Sequence, residues 1–150
     1  MSESPPAGRN TRHNMANTQK LEIVTPDGVA YSEDVEMVTF TSVDGELGIL
    51  PGHTPLMTQL QPGEMTVLRG GREELLAVGI GLAVVTGKLV AVLTDMAIAA
   101  DKIDEEKVEE ARRRAEARLR EKASAEEIAS LNASLARSLA QLKVKKRHRG

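Results

Sequence analysis

The chain has 150 residues, a formal net charge of −2, no Cys, no Trp and only two aromatic side chains, Tyr31 and Phe40. The length suits one average domain or two small ones, and the missing Cys excludes disulfides, thiolate nucleophiles and Cys-based zinc or iron–sulfur sites. Three scattered histidines (His13, His53, His148) disfavour a His-based metal site, and so few aromatics disfavour nucleic-acid modules that stack bases on aromatic faces.

Residues 1–19 are polar, contain Pro5-Pro6 and Gly8, and carry two basic and one acidic side chain. They lack the apolar core of a secretory signal and the Arg-rich amphipathic pattern of a transit peptide, so a disordered N-terminal arm is expected over 1–19. Met15 is a second candidate start. The most apolar uncharged stretch, Leu75 to Gly87, has thirteen residues and three glycines. A spanning helix needs about 20 apolar residues, so the chain is expected to be soluble and to reach a membrane only through a protein partner.

Residues 20–100 carry four basic and eleven acidic side chains, and their pattern is short apolar runs cut by turn residues. Leu21 to Val24 meets Pro26-Asp27-Gly28; Val35 to Val43 ends at Asp44-Gly45; Leu47 to Leu50 runs into Pro51-Gly52. Met65 to Leu68 ends at Gly70-Gly71, Leu75 to Val78 follows, Leu82 to Thr86 stops at Gly87-Lys88, and Leu89 to Thr94 comes last. Roughly seven or eight strands about ten residues apart predict an antiparallel β-sandwich or barrel rather than βαβ units. Val90 to Leu93 is apolar on both faces, which predicts a central strand covered on both sides.

From residue 101 to 150 there are fourteen basic and ten acidic side chains, no Pro, and no Gly before the last residue. Ala, Glu, Arg, Lys and Leu dominate, which predicts helix. Asp104 is the expected N-cap of a first helix with Val108, Ala111, Ala115 and Leu119 on one face. After a break near Ala123, Ser124-Ala125-Glu126-Glu127 reads as a capping box. The second helix then carries Ile128, Leu131, Leu135, Leu139 and Leu142 as one stripe, beside Ala129, Ala133, Ala136 and Ala140. Two helices over 101–150 joined by a short turn should pack antiparallel, and the overall class is α+β. An Ala-lined interface adheres weakly, so the hairpin is expected to be able to detach.

Chemistry-bearing motifs are absent: Gly79-Ile80-Gly81 lacks a third glycine and a following helix, and neither G-x-S-x-G nor H-E-x-x-H occurs. Neither a catalytic nor a metal site is expected. The run Lys143 to Arg149 is a solvated helix end that complements the helix dipole, or else a binder of an acidic protein surface. Nucleic acid is disfavoured because the acidic remainder of the chain would repel phosphates. A free-standing β-sandwich adaptor that uses this basic helical tail on an acidic protein partner is the alternative to the reading that follows.

The run Gly45-Glu46-Leu47-Gly48-Ile49-Leu50-Pro51-Gly52-His53-Thr54-Pro55-Leu56 resembles the signature of the epsilon subunit of F-type, proton-translocating ATP synthases. Further matches run in register over residues 20–145, including Thr25-Pro26-Asp27-Gly28, Val35 to Val38, Val92 to Ala97 and Ile103-Asp104-Glu105. The resemblance implies a non-catalytic central-stalk rotor subunit that couples c-ring rotation to the α/β catalytic head, on the cytoplasmic face of a bacterial inner membrane. It implies c-ring contacts at Asp44, Gly45, Glu46 and Leu47, and gamma-subunit contacts at Thr25, His53 and Thr58. It also implies a hairpin that can extend into the head and inhibit ATP hydrolysis, with Arg112, Arg113, Arg114, Arg118 and Arg120 meeting acidic segments there. Some members bind ATP between the helices. Here Asp104, Arg114 and Arg137 match their positions, but Lys107 replaces Arg, Val108 Ala, Ile98 Glu and Gln141 Arg. Lys is a poor substitute for a bidentate phosphate fork, so no cofactor is expected and ATP as a regulatory ligand is disfavoured.

Overall fold

The structure, a computed structural model, describes residues 17–149. The arm expected over 1–19 lies outside the described residues as far as residue 16, and its last residue is not arm at all. Gln19 opens β1 (Gln19–Thr25), is 3% exposed, and donates its Nε2 to the Ile49 carbonyl at 2.8 Å. Nine further strands follow among the described residues. They are β2 (Gly28–Val35), β3 (Met37–Ser42), β4 (Gly45–Ile49), β5 (Leu56–Leu60), β6 (Gly63–Arg69), β7 (Arg72–Val78), β8 (Gly81–Thr86), β9 (Leu89–Thr94) and β10 (Ala97–Ala99).

The strand order is β10-β7-β6-β3-β5-β8-β9-β1-β2, with β4 attached to β3 alone. The chain of strands folds over between β3 and β5, which share a single residue pair, Ser42 with Leu60. One layer is β10-β7-β6-β3 with β4, and the other is β5-β8-β9-β1-β2, the expected sandwich. Every pairing is antiparallel except β1 with β9, which is parallel. The turns are set by glycine where the sequence signalled them: Gly45 (φ 118°) and Gly70-Gly71 (φ 59° and 75°) sit in the left-handed region that side chains avoid.

Alternate residues of the strands fill the space between the layers: Leu21 and Ile23 of β1, Val38 and Phe40 of β3, Met65 and Val67 of β6, Val90 and Val92 of β9. Burial of each large side chain contributes roughly 1.5–3 kcal/mol. At the far side from the β3–β5 fold, the layers are clasped by polar groups. Tyr31 of β2 donates its hydroxyl to Glu74 at 2.7 Å, Glu74 also takes Arg69 at 3.2 Å, and Arg69 pairs with Glu33 at 3.2 Å. Burial, and then the Glu74 carboxylate, push the Tyr31 phenol well above the usual tyrosine range.

Strand β9 is central in order but is covered on one side only. Val90 and Val92 are buried, whereas Leu93 is 51% exposed on the outer face. Two-sided apolarity therefore marks an uncovered surface here, not a second layer.

A 3-10 turn (Ala100–Lys102) leads into α1 (Glu105–Leu119), a short turn, and α2 (Ala125–Arg149). Asp104 caps α1 as expected, accepting from the Lys107 amide at 3.2 Å. Half of the capping box forms: Ser124 Oγ accepts from the Glu127 amide at 3.1 Å. The Glu127 carboxylate turns instead to Arg118 of α1 (2.7 and 2.8 Å), which ties the two helices near their connection. Neither stripe of α2 is buried along its length: Leu131, Leu135, Leu142, Ala133 and Ala136 are half-buried. Ile128 and Leu139 are exposed, while Ser138, Ala140 and Val144 are buried. Ala140 and Val144 join Val108 of α1, Ile103, Ala100, Met96 and Ala77 in a second, smaller core that seats the hairpin on the layer containing β6 and β7.

Candidate interaction surfaces

The β3–β4 hairpin carries the first group of candidate residues. Ser42 organises its tip, donating its hydroxyl to the Gly45 carbonyl at 2.8 Å and accepting from the Asp44 amide at 3.1 Å. Asp44, Gly45 and Glu46 are exposed there, next to exposed Val43, while Leu47 is half-buried against the main core. The result is an acidic tip on a hairpin whose second strand, among the described residues, pairs with no strand but β3.

Thr25, His53 and Thr58 do not form one cluster. Thr25 ends β1, accepts from the Asp27 amide at 3.2 Å and donates to the Gly28 carbonyl at 3.4 Å. It lines an open groove of about 470 Å³ with Val24, Pro26, Ile80, Leu93 and Asp95. His53 lies in the β4–β5 loop with Nδ1 2.7 Å from the neighbouring Thr54 carbonyl. Thr58 alternates with Leu56 and Leu60 toward the core side of β5, while Met57 and Gln59 point outward.

The outward face holds what the sequence reading missed. Met57 (66% exposed), Ile80 (55%), Leu93 and Leu82 leave an apolar surface along β5, β8 and β9, and Leu82, Leu93 and Val24 are cross-strand neighbours. Such contiguous exposed apolar surface marks a contact with another molecule. The signal was present in Val90 to Leu93, apolar on both faces, with no further layer among the described residues to cover the outer one.

On α1, Arg112 pairs with Glu109 (2.8 Å) and Glu116 (3.1 Å), Arg114 with Glu110 (2.6 Å), and Arg118 with Glu121 (2.7 Å) and Glu127. These carboxylate hydrogen bonds hold the Arg112 and Arg118 guanidinium groups further into their charged form. Arg113 and Arg120 have no ion pair among the described residues.

Of the four residues of the ATP motif, only Asp104 and Lys107 are hydrogen-bonded to one another, through the Lys107 amide at the helix cap. Asp104 is engaged as a cap, Arg114 with Glu110, and Arg137 with Asp95 at 3.0 Å. The depression beside the start of α1 is lined by Glu105, Glu106, Glu109, Glu110 and Arg113, a setting that repels phosphate. Among the described residues no cluster of His, Asp and Glu is placed to hold a metal ion.

The basic tail is neither frayed nor free. It continues α2 to Arg149 and meets the protein's own acidic surface: Arg147 pairs with Glu64 of β6 and with Glu73 of β7, Arg149 with Glu105, and Lys145 Nζ donates to the Ala100 carbonyl at 3.3 Å. The acidic partner that the adaptor reading sought outside is already supplied within the chain.

These features define a sandwich-plus-hairpin protein with one open apolar face, one acidic tip and a helical pair seated on the opposite layer. Family models for the ATP synthase delta/epsilon chain match in two parts, the beta-sandwich domain over residues 18–100 and the long alpha-helix domain over residues 101–146. The chain therefore belongs to the ATP synthase delta/epsilon chain family. It is 41% identical over 129 residues to the ATP synthase epsilon chain of Desulforamulus reducens, covering 86% of this chain and 98% of that one. It is 42% identical over 130 residues to the epsilon chain of Herpetosiphon aurantiacus, covering 87% and 96%. Among solved structures it is similar to a chain of the Euglena gracilis mitochondrial ATP synthase, described as OSCP/F1/c-ring, with a TM-score of 0.70 and 27% identity over 87% of this chain and 82% of that one.

Proposed function

We infer that this chain is a non-catalytic subunit of the central stalk of a bacterial ATP synthase, on the cytoplasmic face of the inner membrane. Its sandwich binds the gamma subunit and the c-ring, so that c-ring rotation is passed to the α/β catalytic head. Its C-terminal helices restrain ATP hydrolysis. The observation that carries this reading is the pairing, on one rigid sandwich, of an acidic tip (Asp44, Glu46) with a separate apolar face (Met57, Leu82, Leu93). Two contact surfaces of different chemistry on a single body suit a part that grips two neighbours. No helix among the described residues is long and apolar enough to cross a membrane, so attachment there is through the c-ring.

The test has two arms. The full chain should co-purify with the gamma subunit at a one-to-one ratio, and Leu82→Asp with Leu93→Asp should abolish that. A chain ending at Ala100 should still bind and couple, while ATP hydrolysis by the assembled head rises. Failure to bind gamma would overturn the stalk assignment; unchanged hydrolysis would overturn the inhibitory role alone.

A further inference from the structure

One face of α2 reads Arg137, Ala140, Val144, Arg147, at steps of three, four and three residues. Ala140 and Val144 are the buried centre of the second core. The arginines flank that centre about 15 Å apart along the helix. Each meets carboxylate on the sandwich: Arg137 takes Asp95, and Arg147 takes Glu64 and Glu73. The leucine stripe, by contrast, leaves Leu139 exposed. Apolar contact between small side chains positions the hairpin, and charge sits at both ends of the contact.

The two ends are not equivalent. Asp95 and Arg137 are each about a third exposed, at 31% and 35%, which leaves their attraction screened by water. At the other end Arg147 is 52% exposed, but the Glu64 side chain beneath the docked helix is only 13% exposed, and the difference between the stations lies in that carboxylate. One of its oxygens also accepts from Thr66 Oγ1 at 3.1 Å, and Arg147 is its cationic partner among the described residues. A carboxylate covered this far without a counter-charge is strongly unfavourable, whereas lifting the helix would rehydrate it. The docked arrangement thus demands a cation at position 147.

We propose that Glu64 and Arg147 form a charge latch that decides whether the C-terminal half of α2 lies on the sandwich, with Arg137 and Asp95 as a weaker second station. Screening the pair, or removing its cation, releases the helix. The latch concerns the docked state itself and holds whether or not the hairpin restrains hydrolysis.

The chain has no Cys, so Gln61→Cys on the sandwich and Leu139→Cys on α2 place two spin labels uniquely on the full-length protein. Their distance distribution reads the docked fraction. In this background Arg147→Met should lower the docked-to-undocked ratio on the order of tenfold, between the effects typical of exposed and of buried pairs. Adding Glu64→Gln to Arg147→Met should restore most of the loss, because the uncompensated charge is gone. Raising salt from about 0.01 M to about 1 M shortens the screening length from about 30 Å to about 3 Å, and should release the wild-type helix more than that of the double variant. Amide exchange in β3 and β9 should stay unchanged throughout. A docked Arg147→Met helix, a double variant no better docked than the single one, or lost protection in those strands would each overturn the latch.

Discussion

The sandwich interior and the hairpin seat are both apolar, yet they are filled by different side chains. Between the layers lie Phe40, Leu21, Ile23, Ile49 and Met65, each 0–1% exposed and each held by neighbours from several strands. Under the hairpin lie Ala77, Ala100 and Ala140 with Val108, Val144, Ile103 and Met96; partly buried Leu75, Ile98 and Leu142 pack beside them, and ion pairs flank the contact. Large interlocking side chains make separation of the sandwich layers equivalent to unfolding. Smaller ones allow close approach with less adhesion, so the seat is expected to open before the sandwich does. The two regions thus differ in side-chain volume, and that difference predicts separate stabilities for the body and its attachment.

Truncation in each core tests this most severely. Phe40→Ala should cost about 3–5 kcal/mol and lower the cooperative unfolding of the whole sandwich, measured by chemical denaturation. Val144→Ala removes far less, about 2 kcal/mol or under, and should undock α2 without shifting that transition. If both variants shifted the same transition, the two cores would be one cooperative unit.

A finer version uses two glycines of one short segment. A Cβ on Gly81 would lie 2.0 Å from the Leu93 carbonyl oxygen, which is backbone and cannot move without opening the β8–β9 pair. Gly81→Ala should cost the sandwich about 1–3 kcal/mol, read as a lower melting temperature. A Cβ on Gly79 would instead meet the Asp95 carboxylate at 1.7 Å, a side chain that can swing away but then loses Arg137. Gly79→Ala should leave sandwich melting nearly unchanged and loosen the hairpin, by under about 1 kcal/mol.

What the sequence disclosed follows the same division. Short-range signals were reliable: Asp44-Gly45 and Gly70-Gly71 are turns with positive φ, and Asp104 caps its helix. Strand β2 escaped notice because it lies at the sheet margin and all but Tyr31 and Val35 are exposed, leaving no alternation to read. Strand β10 is only three residues long. The seat of α2 was not legible in the tail: the leucine and alanine stripes lie side by side without saying which meets the sandwich, where a shallow apolar patch is rimmed by Glu64, Glu73 and Asp95. Those carboxylates come from β6, β7 and the turn after β9, and nothing local in the tail announces them. The outer face of β9 was visible in the composition of Val90 to Leu93 but was assigned to the inside, since one chain does not state how many layers it will build.

The polar clasp between the layers gives the smallest effect and separates the two regions by pH. Burial and the adjacent Glu74 raise the Tyr31 phenol above its ordinary value, so the folded state keeps its proton where the unfolded chain has lost it. The resulting stability is fully present below about pH 10, the ordinary tyrosine value, and is lost progressively as pH rises beyond it. Denaturant midpoints of the wild-type sandwich should therefore fall above about pH 10, and Tyr31→Phe should flatten that decline. The hairpin seat contains no tyrosine, so Tyr31→Phe should leave its docking unaltered over the same window. Equal alkaline loss in wild type and Tyr31→Phe would place the titrating group elsewhere, and undocking that tracked the sandwich midpoint would mean that the seat has no independence from the body beneath it.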